Sequence, residues 1–156
     1  MEKILTKLAE AKKIIRSIDH LIYVTYPLIN EPKIFIRCLE ELSIAVRKII
    51  SCILIYESFF KRIKVYKNPQ KNFSTFFEKC APKYQITRIQ ILQIKELFEI
   101  VDEHNKSQIE FKRNENYVIL NNSKIKTINL EKVKEFIFLS KFLILGANEI
   151  FRILST

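Results

Sequence analysis

A single glycine, Gly146, and four prolines serve a chain of 156 residues. Sheet-rich folds use glycine at turns and bulges, and phosphate-binding loops use it to bring backbone close to a ligand. With one glycine, the chain must do most of its folding in helices. The same scarcity excludes the common nucleotide-binding devices, because neither a P-loop nor a dinucleotide fingerprint can be placed anywhere in it.

Apolar periodicity supplies those helices. Ile4, Leu8, Ala11, Ile15, Ile18 and Ile22 recur at alternating spacings of four and three, which marks one stripe on a helix over roughly residues 2–26. Pro27 is expected to end it, since the residue before proline is pushed out of the helical region. Asn30, Glu31 and Pro32 then read as an N-cap, an acid and a first-turn proline. Phe35, Leu39, Leu42, Val46, Ile49, Ile53, Tyr56, Phe60 and Ile63 carry the alternation on to about residue 65. At the helical rise the two helices would be ~37 and ~50 Å long. A short link makes them an antiparallel hairpin whose second arm overhangs the first.

Asn68 and Pro69 mark a break, followed by a short helix near residues 71–80 that carries Phe73, Phe76 and Phe77 and stops at Pro82. Thr87 with Gln90 matches a capping box and opens a helix to about His104, with Ile91, Ile94, Phe98 and Val101 as its stripe. The period then changes from 3.6 to 2. Ile109 and Phe111 alternate with Glu110 and Lys112, Arg113 to Asn116 are turn-like, and Asn121, Asn122 and Ser123 form a second turn before Lys124 to Ile128. That is a small antiparallel hairpin or meander. Asn129 can cap the last helix, with Val133, Ile137, Ser140, Ile144, Ala147, Phe151 and Leu154 on its stripe. The expected fold is mainly α: an antiparallel helical bundle with a long N-terminal helical hairpin and a small β-meander (about residues 109–128) before the last helix. One domain spans residues 1–156.

Cys38 and Cys52 fall on one predicted helix, ~21 Å apart, too far to bridge. With Cys80 they are scattered thiols and read as small core residues in a reducing, cytoplasmic setting. The N-terminus has no uninterrupted apolar h-region, and no segment reaches the ~18–20 apolar residues that cross a bilayer. A protein off the membrane is expected.

Charge is the strongest functional lead. Residues 61–95 hold nine Lys or Arg against one acid, Glu78, while the whole chain is +10. Elsewhere 18 basic side chains meet 16 acidic ones. Such a concentrated field attracts phosphate or an acidic partner. Tyr66, Phe73, Phe76, Phe77 and Tyr84 are interleaved with the cations, the mix that single-stranded RNA or DNA binding uses for phosphate contact and base stacking. The alternative is that these rings are core and the lysines a solvated rim. The candidate phosphate contacts are Lys61, Arg62, Lys64, Lys67, Lys71, Lys83 and Arg88, with Lys112, Arg113, Lys124 and Lys126 as a possible extension.

Glu96, Glu99, Asp102, Glu103 and His104 form an acidic helix end. It lacks the paired Glu-x-x-His motifs of a di-metal bundle, and no metal or other cofactor is expected. It reads as a solvated face that can pair with part of the basic segment and so hide it. Arg16 and His20 sit four apart on the first helix, one face of it. An arginine–histidine pair can cleave RNA, with histidine as base and arginine stabilising the developing charge. A half-buried or capped histidine is the simpler reading.

The layout of the first 65 or so residues, a long amphipathic helical hairpin followed by further bundle helices in a small basic protein, resembles the HEPN-type helical bundles. That resemblance implies either a ribonuclease or toxin component, or an inactive binding module. The family signature is an arginine and a histidine separated by four to six residues late in the chain. Here Arg16 and His20 are one residue short of that spacing and lie in the first helix, and His104 has no arginine at the required distance.

The function expected is therefore non-enzymatic: a binding module whose basic surface meets RNA, a ribonucleoprotein or an acidic protein. The alternatives are a protein-interaction or homodimerising bundle, using the wide apolar face of Phe136 to Leu145, and a divergent HEPN-like ribonuclease acting through His20.

Overall fold

The computed structural model describes residues 2–122 and 124–155. Ser123, and the side chains of Phe151 and Leu154 expected on the last stripe, lie outside the described residues.

The chain opens with helix α1 (Glu2–His20), a π-helical turn (Leu21–Thr25) and α2 (Tyr26–Ile29) in one run. Pro27 does not end this run as the sequence reading expects. The π-turn widens the backbone just ahead of it, with the Tyr26 N–H bonded to the Leu21 carbonyl five residues back. The proline ring thereby escapes the carbonyl with which it would clash in a regular helix. A second π-turn (Phe76–Cys80) stands in the same relation to Pro82, with the Ala81 N–H on the Phe76 carbonyl at 2.8 Å.

The run stops at Asn30, which takes the left-handed conformation (φ 53°) with its N–H on the Tyr26 carbonyl at 2.8 Å. Asn30 is thus the end of one helix and not the N-cap of the next, a use of asparagine that follows from its tolerance of positive φ. Helix α3 (Lys33–Phe59) starts after Pro32 without a side-chain cap.

Helix α3 ends six residues before the expected boundary. The Lys61 N–H bonds the Ser58 carbonyl at 2.9 Å and the Arg62 N–H bonds the Glu57 carbonyl at 3.0 Å. With Lys61 at φ 57°, this is a Schellman ending built without glycine. The expected overhang disappears: α3, with 27 residues, is ~40 Å long, and the run from Glu2 to Ile29 is ~42 Å. The antiparallel pairing itself is as expected, since the Cys52 thiol reaches the Ile4 carbonyl and Lys48 pairs with Glu10 at 2.6 Å.

Beyond α3 come α4 (Pro69–Thr75), the second π-turn, α5 (Arg88–Lys106), three strands and α6 (Leu130–Ser155). Two caps read from the sequence, at Thr87 and Asn129, are realised, and Asn68, read only as a break, proves to be a third. Asn68 accepts from the Gln70 and Lys71 N–H groups, Thr87 and Gln90 form a reciprocal capping box, and Asn129 accepts from the Lys132 N–H at 2.8 Å. Strands β1 (Ile109–Arg113), β2 (Asn116–Asn121) and β3 (Lys124–Ile128) form an antiparallel meander with β2 central, in register Phe111 to Val118 and Val118 to Thr127.

The core is built around α3, which packs against α1, α5, α6, the second π-turn and β2. Its buried arc is much wider than the stripe read from sequence, taking in Ile36, Cys38, Ala45, Ile50, Cys52 and Leu54 as well. The three cysteines are free and buried, and burial pushes the Cys38 thiol up to about 12. Most of the wide apolar face of α6 is absorbed in the same way. Phe136, Ile137, Leu139, Leu143 and Ile144 are buried, whereas Phe138 and Leu145 face outward.

Phe76 is the largest side chain that the 60–88 segment sinks into this core, and it is fully buried. Phe76→Ala removes that plug from a site that cannot fully collapse. It is expected to cost about 3–5 kcal/mol in urea unfolding followed by circular dichroism; a loss under 1 kcal/mol would show that the segment is not anchored there.

Candidate nucleic-acid interface

The basic segment runs through two irregular stretches, about 60–68 and 81–87, on either side of α4 and the second π-turn, and is fixed in place. It leaves α3 through the Lys61 turn, and it returns to the core at Phe76, Cys80, Ala81 and Ile86, all buried. A second Schellman ending, with the Ile86 N–H on the Ala81 carbonyl at 2.9 Å and Gln85 at φ 60°, hands it to the Thr87 cap of α5. These anchors are backbone or apolar, and of the seven predicted cations only Arg62 and Lys83 add to them, by pairing with Glu57. All seven predicted contacts, Lys61, Arg62, Lys64, Lys67, Lys71, Lys83 and Arg88, are exposed.

Two centres gather four of the seven. Arg62 and Lys83 converge on Glu57, whose side chain is only 3% exposed. The Lys83 ammonium lies 2.9 and 3.0 Å from the two carboxylate oxygens, the Tyr84 hydroxyl donates at 2.7 Å, and the Arg62 guanidinium sits at 3.4 Å. Burial by itself would raise the Glu57 carboxyl. The hydrogen bonds from Lys83 and Tyr84, the Lys83 charge and Arg62 outweigh it and hold the group below its ordinary 4.5. Burial and the same carboxylate push Tyr84 far up, so it stays a donor.

Lys64 and Lys71 form the second centre, each with its ammonium 5.4 Å from the centroid of the Tyr66 ring. Lys61, Lys67 and Arg88 are exposed without a shared contact to either centre. Among the described residues, Lys61, Lys64, Lys67, Lys71 and Arg88 meet no carboxylate, and of the seven only Arg62 and Lys83 are paired, both on Glu57.

The aromatic part of the reading divides. Phe76 is core, and Phe73 and Phe77 are half-buried, stacked on each other and held by the Arg47 and Lys95 cations. Tyr84 is committed to Glu57. Only Tyr66 offers its ring to solvent, at 38%. Sequence reasoning missed Phe59, and it placed Phe60 on the buried stripe. Both are exposed at the C-terminal end of α3, with the Arg62 guanidinium 4.9 Å from the Phe60 ring. It also missed Glu57, although a carboxylate four residues after Ile53 on an apolar stripe was a visible signal.

The acidic helix end does not hide the basic segment. Glu96 pairs with Lys132 at 2.8 Å, Glu99 with Lys126 at 3.1 Å, and Glu103 with Lys124 at 3.7 Å and Asn121 at 2.9 Å. The acids therefore fasten α5 to the meander and α6. Lys124 and Lys126, expected to extend the basic surface, are consumed by these pairs. His104 turns away from Glu103, placing Nδ1 2.8 Å from Glu110 and Nε2 3.3 Å from Glu40. Among the described residues no group of three or more His, Cys, Asp or Glu is arranged to hold a metal. His20 lines an open cleft with Lys13, Ser17, Arg37 and Glu41, but Arg16 is not part of it.

Against known proteins, the chain matches no protein-family model and no curated sequence.

A group whose folded carboxyl titrates below its unfolded value stabilises the fold above the unfolded value and loses that contribution as pH falls through the folded one. Glu57→Gln should therefore cost about 1–3 kcal/mol at neutral pH. That is less than a fully buried pair would cost, because Arg62 and Lys83 are both 47% exposed and water screens them. Urea midpoints of the two proteins should converge as pH drops below 4.5. Parallel curves would mean that the folded state does not hold Glu57 ionised.

Proposed function

We propose that this protein is a non-enzymatic binding module of the cytosol whose 61–88 face docks on RNA or on the RNA of a ribonucleoprotein. The observation that carries the reading is the set of five exposed cations, Lys61, Lys64, Lys67, Lys71 and Arg88, that have no carboxylate among the described residues. Unpaired cations on a fixed scaffold have their counterions in solution, and a polyanion that replaces those ions gains their release entropy. An acidic protein would supply the same charge but not the regular phosphate spacing, and it would need apolar anchors of its own. The ribonuclease alternative gains no support from the cleft that His20 lines, which does not include Arg16.

If each of the five cations neutralises one phosphate, log affinity for a single strand should fall against log salt with a slope of about −3.5. That is roughly a hundredfold weakening between about 50 and 200 mM salt. Fluorescence anisotropy on a labelled oligonucleotide measures it. Reversing Lys61, Lys64, Lys67 and Lys71 to glutamate should abolish binding. A shallow slope, or binding that survives the reversal, would move the site elsewhere.

A second reading, self-association, draws on Phe138 and Leu145, which are 74% and 65% exposed and seven residues apart on one face of α6. Sedimentation at micromolar concentrations decides it. A dimer that dissociates in Phe138→Glu supports it, and a monomer removes it.

A further inference from the structure

We infer that Tyr66 is a stacking platform for one unpaired base, so that the basic face selects single strands over duplexes. The inference rests on the nucleic-acid reading above and adds the form of the ligand and the residue that detects it.

The loop around Tyr66 has no regular secondary structure, yet its backbone is clamped. The Tyr66 N–H donates to the Asn72 side-chain oxygen at 2.8 Å, and the Tyr66 carbonyl accepts from the Asn72 side-chain nitrogen at 2.7 Å. Asn68, between them, is spent on capping α4 through the Gln70 N–H at 2.9 Å. Both backbone groups of Tyr66 are therefore satisfied by one side chain on a helix, while the ring is left outside the core and packs on no other ring among the described residues. A large aromatic side chain carried on a clamped backbone but left unburied contributes little to folding. Its backbone is pre-organised, so a ligand that meets the ring need not order the loop first.

What surrounds the ring fits a nucleotide. The Lys64 and Lys71 ammonium groups, each 5.4 Å from the centroid, can be no more than twice that distance apart. An open cleft of about 450 Å³ adjoins the ring, lined by Asn68, Gln70, Lys71, Ser74 and Thr75. It contains amide and hydroxyl groups that can meet a base edge or sugar, and no carboxylate that would repel a phosphate. The lysines now over the ring are no obstacle. An exposed cation–π contact is worth ~0.5–1 kcal/mol, whereas stacking a base on an aromatic side chain is worth ~1–3 kcal/mol. A base that takes the ring face displaces an ammonium group, which then meets the phosphate beside that base. In a duplex the base faces are already stacked, so only the charge is left to bind.

The test uses the full chain, Tyr66→Ala and Tyr66→Phe, titrated against three probes about 12 nucleotides long, within the ~4–16-nucleotide range of such sites. The probes are oligouridylate, an abasic oligomer with the same phosphates, and an RNA duplex. Tyr66→Ala is expected to weaken oligouridylate binding about 5- to 150-fold and to leave the abasic and duplex probes unchanged. Tyr66→Phe, which keeps the ring, should stay within about twofold of wild type, since stacking tolerates the change. If Tyr66→Ala binds oligouridylate as tightly as wild type, the platform is wrong while the charge reading stands. If Tyr66→Ala weakens all three probes alike, the ring only positions lysines, which also overturns the inference. If the wild type binds none of the probes, the nucleic-acid reading fails and the inference falls with it.

Discussion

The architecture depends on the burial of α3. Helix α1 runs along it, α5 and α6 pack against it, and β2 and the second π-turn touch it. A helix covered on so many sides cannot carry charge into the covered region without a partner, because an isolated buried carboxylate costs several kcal/mol. Glu57 is the one carboxylate that α3 buries, and the chain answers it with Lys83, Tyr84 and Arg62. Those partners come from both ends of the basic segment. The requirement to satisfy one buried charge thus ties the start of the segment to its end and closes it into a loop against α3.

That closure explains how a chain with so little glycine makes an irregular surface. Positive φ falls on Asn30, Lys61, Gln85, Asn114 and Asn122, residues with polar or charged side chains. Lysine and glutamine have no intrinsic preference for the left-handed region, and each such position costs on the order of 1 kcal/mol. At Lys61 and Gln85 the cost is offset by the two hydrogen bonds of a Schellman ending and by the burial that follows at Phe76 and Ile86. The path is rigid because tertiary packing imposes it, not because its residues prefer it.

Features set by neighbours within four residues were legible in the sequence: the helical stripes, the break at Asn68, the caps at Thr87 and Asn129, and the change to period two at Ile109. The helix ends at Asn30 and Phe59 were not. Apolar period continues through Phe60 and Ile63 whether or not the backbone does, and nothing local marks Lys61 as left-handed. Pro27 misled for the opposite reason, since a π-turn lets a helix pass a proline that local rules treat as a stop. In the candidate site, the exposure of the cations was legible from charge. The choice of Tyr66 over Phe73, Phe76 and Phe77 was not, because each lies among lysines and only the fold says which ring the core takes. The Glu57 centre joins residues 26 and 27 positions apart, and no periodicity reports a contact of that kind.

The distribution of partners also separates two uses of lysine within one chain. Lys124, Lys126 and Lys132 each meet a glutamate of α5, and these pairs bind the meander and α6 to the rest of the bundle. If basicity were only a compositional habit, acids would be spread among all the lysines in the same way. Lys48 and Lys141 likewise meet Glu10 and Asp19 on α1, while Lys61, Lys64, Lys67 and Lys71 meet no carboxylate among the described residues and stand on a clamped loop. Charges that contribute nothing to the fold and repel one another raise its energy slightly. Retaining them on a rigid surface, beside a ring that the core has not used, is what a docking face for a polyanion requires.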